Sequence, residues 1–150
     1  MASKFRRQYG SAKTDIEDIV AVSEKRMVAL MRLSLQDVID NAQQSAYKGG
    51  RMRVDTGFLR ATGQASLTGM PTGPTRGEKK EPNSYPEPSK IAILGNGADG
   101  LKLGMTFFFG WTAAYAYYRE VYDGFLDGAL QHWGRIVAFN TDTIRQRVKK

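Results

Sequence analysis

The chain has 150 residues, 41% of them hydrophobic, and a formal net charge of +7; that is the size of one ordinary domain, able to bury about 70% of its unfolded surface without staples. It contains no Cys, which excludes disulfides, thiolate catalysis and Cys-based zinc sites and suits folding in a reducing cytoplasm. No apolar run is long enough to span a membrane, and the basic, polar arm 1–13 is followed by no apolar segment fit for a signal, so a soluble, unexported protein is expected.

In chain order, Thr14-Asp15-Ile16-Glu17 reads as a capping box, with the hydroxyl on the Glu17 amide and the carboxylate returning to Thr14. From there Ile16, Ile19, Val20, Met27, Leu30, Met31, Val38 and Ala42 recur at three- and four-residue steps, a single helical stripe, until Gly49-Gly50 ends it. A helix of about thirty residues is about 45 Å long. That exceeds what one small domain needs for its own core, so part of the stripe is expected to meet a neighbouring subunit.

A polar connector over 51–55 leads to a short strand within 61–68. The stretch 69–89 holds all five prolines together with Gly69, Gly73, Gly77 and the cluster Glu78-Lys79-Lys80-Glu81, and it is expected to be a long, mobile loop of the kind that carries function or disorder. Strands over 90–94 and 101–111, joined by Gly95-Asn96-Gly97-Ala98-Asp99-Gly100, read as a hairpin with Leu103, Met105, Phe107, Phe109 and Trp111 on one face. The aromatic run continues through Tyr115, Tyr117, Tyr118 and Tyr122. A last amphipathic helix is expected over 125–148, capped by Asp123. The fold class is therefore α+β: a long N-terminal helix and a C-terminal amphipathic helix on a small antiparallel sheet, in one domain over 1–150.

Residues for chemistry are sparse. His132, the only histidine, sits beside Trp133 with no partner pattern, and no Gly-x-Ser-x-Gly elbow presents a nucleophile. Asp15, Glu17 and Asp18 suit the positive end of the first helix. Asp37 and Asp40 lack a third metal ligand, and Gly95, Gly97 and Gly100 lack the Lys-Ser/Thr of a phosphate loop. No catalysis, cofactor or metal is expected. The positive charge gathers at the ends, in Lys4, Arg6, Arg7, Lys13, Arg145, Arg147, Lys149 and Lys150. Arg6, Arg7, Lys79, Lys80, Arg145 and Arg147 are thus the candidate contacts to DNA or an acidic partner. The rival reading is a sequence-independent nucleic-acid-binding module whose rings between 107 and 118 stack bases; Phe107, Phe109 and Trp111 on one strand face read as core instead.

Three segments, in this order, resemble the tail-completion family of long-tailed bacteriophages, also described as minor tail or head-to-tail joining proteins. Val54-Asp55-Thr56-Gly57-Phe58-Leu59-Arg60 is similar to the family's Val-Asp-Thr-Gly-x-Leu-Arg signature. Tyr115-Ala116-Tyr117-Tyr118-Arg119-Glu120 resembles its Tyr-Ala-x-Tyr-x-Glu segment, and Gly124-Phe125-Leu126-Asp127-Gly128-Ala129-Leu130 resembles its Phe-Leu-x-x-Ala-Leu helix start. Here Glu120-Val121-Tyr122-Asp123-Gly124 replaces the family's Glu-x-Gly-Thr and Pro-rich turn. The resemblance implies a structural virion protein, made in the host cytoplasm. It implies a homo-oligomeric, sixfold ring at the neck, in contact with connector and tail-terminator or tail-tube proteins, through which DNA passes. Within the signature, Asp55 is expected to form an Asx-type turn with Thr56 and Gly57, Leu59 to point inward and Arg60 to pair with an acidic group such as Glu120.

Overall fold

The computed structural model describes residues 12–78 and 80–149; Arg6, Arg7 and Lys79 lie outside them. The first helix, α1, spans Ala12–Gln43. It is already under way at Ala12, so Thr14 lies within its first turn and is not the cap. Its 32 residues extend about 48 Å. Every residue from 13 to 27 is exposed, and none from 28 to 39 is, so among the described residues the helix is anchored by its second half. Val38, Ile39 and Ala42 enter the core there.

A short 3-10 turn, Ala46–Lys48, follows. Met52, fully buried, is held as its carbonyl accepts the Ala46 amide at 2.9 Å. The one-turn helix α2 (Phe58–Ala61) leads into strand β1 (Gly63–Ser66), which pairs antiparallel with β2 (Phe108–Trp111) from Gly63 opposite Trp111 to Ser66 opposite Phe108. Three helices complete the chain: α3 (Ala116–Asp123), α4 (Phe125–Leu130) and α5 (Trp133–Val148). The core is closed by Leu59, Ala113, Phe125 and Ala129, with Phe107, Phe109 and Trp111 packed against it. The class is α+β, helices against a small two-stranded antiparallel sheet.

Three expectations are corrected. The hairpin over 90–94 and 101–111 does not form: Ala92–Leu94 is a 3-10 turn, and β2 takes β1 as its partner. The backbone groups near 91–101 find other partners, which removes the need for a ladder. The Ile91 amide donates to Gln36 Oε1 at 2.9 Å, the Leu101 amide to the Ile93 carbonyl at 2.8 Å, and the Arg32 guanidinium to the Leu101 carbonyl at 2.9 and 2.6 Å. Leu94 and Leu101 are buried, whereas Leu103 and Met105 are exposed and do not share the core face.

The single helix over 125–148 is two helices, because the His132 amide turns back to the Ala129 carbonyl at 3.0 Å, a three-residue closure that tightens and re-aims the chain. Both pieces stay on α1. Asn140, buried, donates to Asp37 Oδ2 at 2.8 Å and to Ser34 Oγ at 3.4 Å. With α4 at the C-terminal end of α1, this makes α5 antiparallel to it.

Asp123 is not the cap. It pairs with Arg119, one turn back in α3, and with Arg53 at 3.7 Å. The cap residue is Gly124, in the left-handed region, and the exposed α4 amides go to Glu120. The tyrosine run, finally, belongs to α3. Tyr117, Tyr118, Val121 and Tyr122 face solvent.

Candidate functional site

The three resembling segments form one connected unit. Thr56 Oγ1 accepts the Phe58 amide at 3.2 Å, so the tight turn is held by Thr56, where the Asp55 carboxylate was expected. Gly57 then takes φ +86° and starts α2. Leu59 points into the core at 4% exposure, as its position in the signature suggests. Phe58 packs at the edge of that core, half-buried, with its ring 6.2 Å from that of Tyr115. The first two segments, far apart in sequence, thus meet along one groove.

The second and third segments are joined through Glu120. Its two carboxylate oxygens accept the Leu126 amide at 2.8 Å and the Asp127 amide at 2.9 Å. A charge at the first turn of a helix satisfies orphan donors and the macrodipole together. Arg60 therefore cannot count Glu120 as its partner; it reaches Glu87 at 3.5 Å. Glu120→Ala is expected to cost about 1–2 kcal/mol and Glu120→Gln about half as much, since the amide keeps one acceptor. Urea midpoints measure this, and an unchanged midpoint for both would show that the cap contributes nothing. In the third segment Phe125 and Ala129 are buried while Leu126 remains at the surface. Ala116, at the start of α3, packs against the core.

The groove has a volume of about 1040 Å³. Phe58, Leu59 and Tyr115 give it an apolar floor, and Arg53, Arg60, Arg76 and Arg119 stand against Asp55 and Glu78 around it. Burial pushes the Tyr115 phenol above the usual tyrosine range, against the opposing pull of the Leu59 backbone and the Arg119 charge. Tyr118 and Tyr122, three and seven residues beyond Tyr115, are exposed rings on α3. Arg60 is the most deeply set cation. Its side chain is 9% exposed, and its Nε is buried without a hydrogen-bond partner.

One wall, Thr75 to Glu78, comes from the 69–89 segment, expected as a long, mobile loop. The Asn83 amide donates to the Asp55 carbonyl at 2.8 Å and the Tyr85 amide to the Thr56 carbonyl at 2.9 Å, while the Tyr85 ring sits 5.2 Å from Phe58. Thr75 bridges to the end of β2, its amide on the Thr112 carbonyl at 2.6 Å. Glu87 is held below the ordinary carboxylate range, first by its hydrogen bond and charge contact with Lys48 and then by Arg60. Tyr47, Arg76, Tyr85 and Glu87 were not anticipated. The one available signal was that Tyr85 is the sole aromatic residue among the prolines.

The remaining candidates are scattered. Lys80 lies over the Tyr85 ring at 4.5 Å. Arg145, exposed, is 3.8 Å from Asp142, and Arg147 is exposed on the same helix, at the end of α5 remote from the groove. His132 is exposed at the α4–α5 junction. Asp40 is engaged by Lys90 and Gln36, and among the described residues no three potential ligands gather as a metal site. No protein-family model, no curated protein and no solved structure matches this chain.

Proposed function

We propose that this chain is a structural subunit of the neck or head-proximal tail of a long-tailed bacteriophage, closing with copies of itself into a ring that joins or completes the tail and leaves a passage for DNA. The observation that carries the assembly reading is the exposed half of α1: Ile16, Ile19, Val20 and Met27 stand 48–66% exposed on a stretch, 13–27, that no described residue buries. Apolar surface presented in such a stripe marks a partner site. The phage setting rests on the resemblance of the three segments, and their union through Phe58, Tyr115 and Glu120 supports treating them as one signature.

A ring requires a heterologous contact, in which one face of a subunit meets a different face of the next. Neighbouring connector, tail-terminator or tube proteins would take the axial surfaces. Lys80, Arg145 and Arg147, with the arm bearing Arg6 and Arg7 and with Lys79, are the groups available for salt-sensitive, sequence-independent contact with DNA. Electron microscopy of whole particles carrying a tagged copy of this subunit tests the reading. The tag is expected as one ring between head and tail; a tag spread along the tube, or absent from purified particles, would refute it.

A further inference from the structure

We propose that the exposed N-terminal half of α1 from one copy seats in the groove between Phe58, Arg76 and Tyr115 of the next, so that this head-to-tail contact is the lateral joint of the assembly. The inference rests on the ring reading above and deepens it by naming both surfaces.

Position is the first argument. The groove is lined by Ala46 and Tyr47, immediately beyond the C-terminal end of α1, whereas the uncovered stripe lies at its other end. From Ile19 to Gln43 the rigid helix runs about 36 Å. The stripe cannot reach the groove of its own chain, so the contact can only be made between copies. Two different surfaces at opposite ends of one rod are what repeated head-to-tail addition requires, and such addition closes when the rotation per subunit allows it.

Chemistry is the second. The start of the helix sets Asp15, Glu17 and Asp18 against Lys13, beside aliphatic Ile16, Ile19 and Val20. The groove offers the complement, an apolar floor rimmed by more arginines than carboxylates. Among the described residues Arg76 has no ion pair. Arg60 supplies the independent sign of a missing ligand: its buried Nε has no acceptor, and its ion-pair partner Glu87 is exposed and shared with Lys48. A carboxylate from the incoming helix answers that donor. Opposite charges at such a joint fix register and steer encounter more than they add affinity.

The natural absence of Cys makes cross-linking decisive. Four single variants, Ile16→Cys and Ile19→Cys on the helix and Tyr47→Cys and Glu78→Cys on the groove rim, change only exposed side chains. A short bis-maleimide is expected to join helix variants to rim variants in mixtures, and not to join any variant to itself. Absence of a product from all four mixtures overturns the contact, and so does a helix variant that links to itself as efficiently as to a rim variant. Arg76→Glu should lower the mixed yield about fivefold at low salt, as should raising the salt from about 50 to about 500 mM; indifference to both would overturn the charge match. The ring reading fails separately. Light scattering that shows wild-type assemblies larger than two chains, with no cross-link, overturns the contact and leaves the ring. An Ile19→Cys/Tyr47→Cys double variant whose products stop at two chains overturns the ring and leaves the contact.

Discussion

Phe125→Ala is expected to remove about 3–5 kcal/mol of folding stability, the usual consequence of emptying a large buried aromatic site that cannot fully collapse. Phe125 is 3% exposed. Its ring meets Trp111 edge-on, centroids 5.0 Å apart and planes at 87°, and Trp111 meets Phe109 in the same manner at 5.0 Å. The substitution therefore breaks the link between the β-sheet and α4, and removes an aromatic pair worth about 0.5–1.5 kcal/mol beyond its area. A domain of this size has about 5–15 kcal/mol in total, so the variant should lose a large part of its urea midpoint. Tyr122→Ala is the contrast: an 81% exposed ring should change the isolated chain's stability by no more than about 0.5 kcal/mol. If Phe125→Ala cost under about 1 kcal/mol, the sheet and α4 would not share a core.

The parts of this architecture that were legible in the sequence are those written in side-chain periodicity over many residues. Ile16 to Ala42 repeat often enough that α1 could be read directly, and its excess length over the needs of one small core was legible too. Phe125, Ala129 and Ile136 likewise gave the helical character of the C-terminal region. The junction at His132 left no such trace, because it depends on one backbone amide choosing the Ala129 carbonyl. The aromatic alternation of 101–111 mimicked a long strand, yet four residues, Phe108–Trp111, are paired; burial of Leu101 under Arg32 decides the rest. For α3 the run of Tyr115, Tyr117, Tyr118 and Tyr122 was visible as an aromatic cluster, but not that it is a helix whose Tyr117, Tyr118 and Tyr122 rings face outward. The groove was half legible. Its signature residues stood out, whereas Thr75 of the groove wall, and Asn83 and Tyr85 beside the signature turn, are attached by main-chain hydrogen bonds, which any residue type can make.

Gly57→Ala tests that attachment, with an expected loss of about 2–3 kcal/mol. Two effects add at this position. At φ +86° a Cβ strains the backbone by about 1–2 kcal/mol, and here the added carbon would also lie 2.9 Å from the Tyr85 carbonyl oxygen, a backbone atom tied by its own amide to Thr56. Gly49 separates the two. It has nearly the same φ, +84°, and nothing within 4 Å of an added Cβ, so Gly49→Ala should carry the conformational cost alone, about 1 kcal/mol. The difference between the two variants then measures how firmly the 83–85 segment is seated on the signature turn. For a chain of 150 residues each kcal/mol corresponds to about 2–4 °C in Tm, so Gly57→Ala should melt at least about 2 °C below Gly49→Ala. Equal melting points would mean that Tyr85 yields without cost, and that the 83–85 segment is not firmly seated on the signature turn that floors the groove.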